Sequence, residues 1–147
     1  MNLSKAVVGG GCFWCVEAVL QRLKGVHKVE SGYAGGKIPN PKYKDICSGT
    51  SGHAEVVRVH YDQSIIPFKD LIFIFLQTHD PTTLNRQGYD QGTQYRSIIL
   101  YSSEEELKVA KEVIKELQPN FKDPIVTELS PLKEFYIAEV DHQNYYN

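Results

Sequence analysis

The chain is poor in the features that mark exported, membrane-spanning and nucleic-acid-binding proteins. It has three cysteines in 147 residues, too few for a disulfide scaffold, so we expect reduced thiols and a cytoplasmic location. The N-terminal residues lack a signal peptide's apolar run, and the longest apolar stretch, residues 71–76, falls short of the ~18–20 residues that span a membrane. A net charge of −2 leaves no basic excess to neutralise phosphates, so we expect no nucleic-acid or membrane partner.

Motifs for metals and cofactors are missing as well. His53, His60 and His79 are not spaced like the ligands of a zinc site, and no nucleotide or flavin motif occurs. We therefore expect neither a metal nor a cofactor. The composition is globular, with 41% hydrophobic and 23% charged residues, and the length predicts a single domain over residues 1–147.

Hydrophobic periodicity predicts five strands and three helices. In the first helix, Val16, Val19, Leu20 and Leu23 recur at helical spacing before Gly25 ends it. The order of elements predicts an α+β two-layer sandwich, in which helices pack on one side of a mostly antiparallel sheet. The long loops 34–53 and 78–94 are expected to carry functional residues. The predicted strands are residues 5–9, 26–33, 54–61, 95–101 and 125–129, and the later helices are residues 67–77 and 103–118.

Cys12 stands at the predicted junction between the first strand and the first helix. Residues 9–11 are all glycine and predict a tight turn without side chains. At a helix N-terminus the dipole favours a thiolate, which is the nucleophilic form of cysteine, so Cys12 is the first candidate for a catalytic residue. Phe13 and Trp14 follow it at once and indicate either a pocket for a small apolar group or simple core packing.

Cys15 completes a C-x-x-C pattern with Cys12, which has three interpretations. The two cysteines are a structural pair, half of a zinc site, or a redox pair in which one helical turn brings the sulfurs within reach. The spacing favours the redox pair. The bulky residues between the cysteines are nevertheless unusual for a thioredoxin-like motif, where that pair is small or contains proline.

Glu55 is the second candidate, because it lies near the start of a predicted strand. A carboxyl that faces a pocket there would hold its proton more tightly through desolvation and serve as a general acid. The alternative is a solvated glutamate at the strand edge. Tyr43, Asp90 and Tyr95 lie in the long loops or at the next strand's edge, and their positions alone do not distinguish them from ordinary surface residues.

Several motifs resemble those of the type A peptide-methionine sulfoxide reductases. They occur in collinear order over nearly the whole chain, and they begin with residues 11–14, Gly-Cys-Phe-Trp. The resemblance implies that family's α+β fold, with a ferredoxin-like core. The further matching segments are residues 31–36, 40–43, 47–49, 52–56, 79–82, 85–88, 90–97, 135–136, 138–139 and 142–143.

The resemblance also implies an activity, the thiol-dependent reduction of methionine S-sulfoxide, free or in proteins. Cys12 would attack the sulfoxide sulfur and become a sulfenic acid, while Glu55 protonates the oxygen. Thioredoxin or a similar dithiol would be the reductant.

The remaining candidates become substrate-binding residues by the same resemblance. Phe13 and Trp14 would form the pocket for the S-methyl group. Tyr43 and Tyr95 would hydrogen-bond the sulfoxide oxygen, and Asp90 would position the substrate or a water molecule.

The recycling thiol is left open among three choices. Longer relatives carry resolving cysteines in a C-terminal tail, whereas no cysteine follows Cys47 here. Cys15 is favoured by its proximity to Cys12, although the helix must unwind in part for a disulfide to form. Cys47 and an external thiol are the alternatives. Two other functions are alternatives, a general dithiol–disulfide oxidoreductase and a non-catalytic module that binds methionine sulfoxide.

Overall fold

A six-stranded sheet, a two-stranded hairpin and three α-helices make up the part of the chain that the computed structural model describes. That part comprises residues 3–11, 13–35, 53–79, 81–83, 86–87, 90–91, 95–133 and 135–137, with the backbone alone for 13–15, 86–87 and 90–91. The strands are β1 (Ser4–Gly9), β2 (Val26–Ala34), β3 (Ala54–Tyr61), β4 (Arg86–Gln87), β5 (Asp90–Gln91), β6 (Ile98–Tyr101), β7 (Glu128–Pro131) and β8 (Phe135–Ile137). The helices are α1 (Phe13–Leu20), α2 (Phe68–Phe75) and α3 (Glu104–Leu117), followed by a 3-10 helix at Gln118–Asn120.

The large sheet has the order β7-β6-β1-β3-β2-β8. β3 lies between β1 and β2 and runs antiparallel to both, with Val8 opposite Val57 and Tyr33 opposite Glu55. β1 and β2 are therefore parallel to each other, and α1 connects them in a split β-α-β unit. The β6–β7 pair is parallel, and the other described pairs are antiparallel. The predicted α+β class with a mostly antiparallel sheet is confirmed.

The main hydrophobic core lies between the sheet and the three helices. β3 alternates in its burial because successive side chains point to opposite faces, and Val57, Val59 and Tyr61 are on the face that the helices cover. The prediction that helices pack on one side of the sheet is correct. The helical residues of this core are Val16, Leu20, Phe68, Leu71, Ile72, Phe75, Ala110, Val113 and Leu117.

The N-terminus of α3 is capped by serine and glutamate side chains. The Ser103 hydroxyl accepts a hydrogen bond from the Glu106 backbone N–H at 3.2 Å. The Glu106 carboxylate in turn accepts from the backbone N–H of Ser102 at 2.9 Å. Backbone donors that the first turn leaves unpaired are thus satisfied by side chains.

The opposite face of the sheet carries a smaller apolar cluster. Its buried members come from β1, β2, β3 and β6, and Leu132 and Phe135 near the end of the described chain pack against them. The buried residues of this cluster are Val7, Ala34, Ala54, Val56, Ile98 and Leu100. The C-terminal segment therefore covers the face that the helices leave open.

Some elements differ from the sequence-based expectation. The strand predicted at 125–129 is β7 at Glu128–Pro131, and the strand predicted from residue 95 begins at Ile98. β8 and the β4–β5 hairpin were not predicted, because two or three residues are too few to show an alternating pattern. The described residues include no helix long and apolar enough to cross a membrane.

The buried face of α1 also differs from the prediction. Val19, taken as part of the apolar stripe, is 43% exposed, whereas Glu17 is only 2% exposed. Relative to the predicted orientation, the helix is rotated about its axis so that Val16, Glu17 and Leu20 face the sheet. In this orientation Glu17 accepts a hydrogen bond from Ser31 on β2.

A charged cluster on the outer face ties β2 to β3. Glu30 accepts from Arg58 at 2.9 Å and lies 2.5 Å from Nε2 of His60, and Arg58 also lies over the ring of Phe135, 4.5 Å from its centroid. Partial burial alone would raise the pKa of Glu30. Hydrogen bonds from His60 and Arg58 and the charges of Arg58 and Lys28 outweigh it and lower the pKa from its usual 4.5 to about 2.

Replacing Glu30 by Gln is expected to lower the free energy of unfolding at pH 7 by about 1–3 kcal/mol. A carboxyl whose folded-state pKa is depressed stabilises the fold above its usual pKa and loses that effect as the pH falls through the folded value. The difference between Glu30→Gln and wild type should therefore shrink as the pH falls from 4.5 towards 2.

Urea denaturation at several pH values measures this difference. Glu116→Gln is the control, because its pairing with Lys69 is half-exposed and contributes little. Equal, pH-independent effects of the two substitutions would contradict the prediction.

Candidate functional site

The turn before Cys12 is held by a backbone hydrogen bond to the segment that carries Tyr95. β1 ends at Gly9, and Gly11 adopts φ +81°, a left-handed conformation that glycine accepts without strain. The Gly11 N–H donates to the carbonyl oxygen of Tyr95 at 3.1 Å. Cys12 itself lies outside the described residues, between this turn and Phe13, where α1 begins.

Glu55 lies at the same edge of the sheet as this turn. It is the second residue of β3, and its backbone carbonyl is in close contact with Gly9 at the end of β1. Because β1 and β2 run antiparallel to β3, the ends of both strands meet the start of β3 at this edge. The chain therefore leaves β1 towards Cys12, and leaves β2 towards Tyr43, at the edge where β3 begins with Ala54 and Glu55.

The Glu55 side chain is directed to the helix-covered face. It alternates with Val57 and Val59 of the main core, and its cross-strand neighbour Tyr33 is buried in the same core. Only 2% of Glu55 is exposed. α1 packs on β2 and β3 above it.

The other predicted site residues are described to different extents. Tyr95 is half-buried and adjoins the Gly11 turn through its carbonyl group. Asp90 belongs to the two-residue strand β5. Phe13, Trp14 and Cys15 form the first turn of α1, separated from the glycine turn by Cys12. The structure thus brings the Cys12-bearing turn, Tyr95 and Glu55 to one edge. Cys12, Tyr43 and Cys47 lie outside the described residues.

Glu17 is a buried carboxyl that sequence analysis missed. It projects from α1 towards the sheet, and its Oε2 accepts from the Ser31 hydroxyl at 3.0 Å. Ser31 precedes Tyr33 by two positions on β2, so Glu17 reaches the same face that carries Glu55. In the sequence, the only indication of this burial is that the charged residue lies between the apolar residues Val16 and Ala18. The same pattern is equally typical of an exposed helix position.

His53 immediately precedes β3. It is buried, and its ring meets the ring of Tyr136 on β8 edge to face, with centroids 5.6 Å apart. Among the described residues no group of three or more His, Cys, Asp or Glu side chains is placed to hold a metal ion.

Comparison with known proteins gives a consistent result along the whole chain. A family model described as peptide methionine sulfoxide reductase matches residues 4–147. A protein of Saccharolobus solfataricus named peptide methionine sulfoxide reductase MsrA is 55% identical over 142 residues, which are 97% of this chain and 80% of that protein.

Solved structures agree with the sequence matches. Methionine sulfoxide reductase A of Corynebacterium diphtheriae is similar with a TM-score of 0.93 and 35% identity, over 97% of this chain and 73% of that chain. Mxr1 from Saccharomyces cerevisiae in complex with Trx2 is similar with a TM-score of 0.70 and 26% identity, over 98% and 85% of the two chains.

Removing the Ser31 hydroxyl tests the contribution of the Glu17 contact. Ser31→Ala is expected to lower the free energy of unfolding by about 1–3 kcal/mol, because the buried Glu17 carboxyl loses a donor and stays desolvated. The matched control is Ser130→Ala, which removes a serine–glutamate hydrogen bond of 2.6 Å at an exposed site. This control should lower the free energy of unfolding by a smaller amount. Thermal unfolding of both variants measures the difference, and a larger loss in Ser130→Ala would refute the prediction.

Proposed function

The chain belongs to the peptide methionine sulfoxide reductase family, and on that premise we propose that it reduces methionine S-sulfoxide, free or in oxidised proteins, to methionine. The observation that carries the proposal is the match to that family over residues 4–147, with 55% identity to one relative over 97% of the chain. The reaction repairs methionine side chains that oxidation has made polar.

Cys12 is the proposed nucleophile. Its thiolate attacks the sulfoxide sulfur, and the S–O bond breaks as the oxygen passes to the cysteine. The sulfoxide gains two electrons and leaves as methionine, while Cys12 becomes a sulfenic acid. A position just before the first residue of α1 supports this role, because unpaired N–H groups of a helix start stabilise a thiolate.

Glu55 is the proposed general acid. A sulfoxide is a poor electrophile until its oxygen is protonated, so a proton donor must face the nucleophile. The burial of Glu55 and its place at the edge where the Cys12 turn leaves β1 support that function. Tyr43 and Tyr95 are proposed to hydrogen-bond the same oxygen, and Asp90 to position the substrate or a water molecule.

Phe13 and Trp14 are proposed to hold the substrate's S-methyl group. A methyl pocket, an acid and a thiolate together define three directions around a chiral sulfur. The S epimer then presents its oxygen to Glu55, whereas the other epimer presents it elsewhere.

Cys15 is the proposed resolving thiol. Its sulfur attacks the sulfenic acid of Cys12, a disulfide forms and water leaves, and a dithiol then reduces the disulfide. The complex of the relative Mxr1 with Trx2 supports a thioredoxin-type reductant. A cytoplasmic location is proposed with it, because this cycle needs a compartment that keeps thiols reduced.

Two substitutions test the first chemical step. Cys12→Ser is expected to abolish methionine formation, since a hydroxyl cannot take the oxygen in this way. Glu55→Gln should slow the step by roughly 10²–10⁴-fold with the fold retained, because the amide fills the same space without an acidic proton. Methionine release by chromatography, with circular dichroism as a control for folding, decides the result. Catalytic turnover by Cys12→Ser would overturn the mechanism.

A single turnover without reductant identifies the resolving thiol. With racemic methionine sulfoxide, wild type should release about one methionine and lose two thiols, whereas Cys15→Ser should lose only one. Two thiols lost in both proteins would identify Cys47 instead. No methionine from folded wild-type protein would overturn the proposed function.

A further inference from the structure

His79 lies directly on the glycine turn that precedes Cys12. A Cβ atom on Gly10 would come within 2.6 Å of Cδ2 and Nε2 of the His79 ring, so the ring occupies the space beside the Gly10 backbone. The ring also packs on Phe75 of α2, with centroids 4.8 Å apart. The imidazole therefore contacts both a helix and the turn.

The hydrogen bonds of Thr78 determine which ring nitrogen carries the proton. The Thr78 hydroxyl donates to the Phe75 carbonyl at 2.7 Å, so its single proton is already used. His79 Nδ1 lies 3.2 Å from the same hydroxyl oxygen, which can only accept, and Nδ1 must supply the proton. In a neutral ring, Nε2 is then the acceptor.

The second ring nitrogen lies within hydrogen-bond distance of Ser97, with Oγ 2.7 Å from Nε2. When Nε2 is the acceptor, the single Ser97 proton is used there, and Thr127 Oγ1, 2.8 Å from Ser97 Oγ, must donate to Ser97. The donors thus run in one direction from Thr127 through Ser97 to the ring. This chain of hydrogen bonds connects the start of β6 and the segment before β7 to His79.

The Ser97 segment contacts the glycine turn at a second point. Tyr95, two residues before Ser97, accepts from the Gly11 N–H. The turn before Cys12 is therefore held at Gly10 by the His79 ring and at Gly11 by Tyr95, and Ser97 joins the two contacts.

We propose that His79, with a proton on Nδ1 and with Nε2 accepting from Ser97, is a positioning residue for the reductase reaction. By accepting from Ser97 it keeps the Gly10–Gly11 turn and Tyr95 in one arrangement, and so sets where Cys12 lies relative to the acid and the substrate oxygen. The inference rests on the proposed roles of Cys12 and Tyr95. Loss of this arrangement should lower the rate of the chemical step, because misplacement of a reacting group by about 1 Å lowers a reaction rate on the order of 10²-fold.

A matched pair of substitutions at His79 separates hydrogen bonding from packing. Met and Gln are unbranched and similar in size, but only Gln offers an oxygen that can accept from Ser97. His79→Met should slow methionine formation in a single turnover by roughly 10- to 100-fold, and His79→Gln should recover most of that loss. The KM, measured separately in steady-state turnover, should change little in either variant. His27→Met, the same change at an exposed histidine, is the control and should retain the wild-type rate.

Ser97→Ala is the second variant, for use if His79→Met does not fold. It leaves the ring in place and removes its donor, so it should slow the same step. Wild-type rates in His79→Met or Ser97→Ala would overturn the proposal. Equal losses in the Met and Gln variants, with equal falls in melting temperature, would also overturn it, because packing alone would then explain the effect.

Nuclear magnetic resonance tests the arrangement without substrate. Side-chain ¹⁵N spectra should show His79 protonated at Nδ1 and not at Nε2, and the Gly11 amide signal should shift in His79→Met but not in His27→Met. A proton on Nε2, or an unchanged Gly11 signal, would overturn the proposal. These readouts do not depend on activity. A folded wild-type protein that released no methionine would overturn the proposed function and with it the catalytic consequence of this inference, whereas a failed NMR result in an active protein would overturn the His79 arrangement alone.

Discussion

Strand β3 is hydrogen-bonded on both sides, and the arrangement of the candidate site depends on that placement. Because β1 and β2 both run antiparallel to it, their C-terminal ends reach the edge at which β3 begins. The turn to Cys12, the segment after Ala34 and the carboxyl of Glu55 all start from this edge. A shift of one residue in the β2–β3 register would carry Glu55 to the opposite face, away from α1.

The ladder between β2 and β3 carries one polar cluster on each face. On the helix-covered face Ser31 donates to Glu17, and on the outer face Arg58 and His60 meet Glu30. Buried carboxylates are weak sources of net stability but are costly to leave without partners. A different pairing of these strands would leave the carboxylates of both clusters without partners and would therefore be less stable. Both clusters favour the register on which the site depends.

The sequence predicted the elements whose patterns are long enough to read. β3 alternates over eight residues, and α3 has a serine cap with acidic residues behind it, so both were found with nearly correct bounds. β8 has three residues and owes its existence to pairing with β2, which is a long-range contact that no local pattern encodes.

The candidate site shows the same division between local and long-range information. Cys12 and Glu55 were predicted from local context together with a family resemblance, whereas the meeting of the end of β1 with the start of β3 at one edge follows from the topology. Glu17 was missed because its burial depends on the rotation of α1 towards Ser31. From the sequence, His79 was excluded as a zinc ligand and included in a matching segment without a role, because its contacts with Gly10 and Ser97 come from other parts of the chain.

The pairing of β2 with β8 also bears on how the chain acquires its structure during synthesis. Gly32 lies opposite Ile137, so strands about 100 residues apart in the chain must meet before the sheet is complete. On the ribosome, β1, β2 and β3 emerge early, but the outer apolar face stays open to solvent until Leu132 and Phe135 have been made. The nascent chain thus exposes an apolar sheet face until the segment that contains β8 has been made, and the docking of that segment shields this face from aggregation.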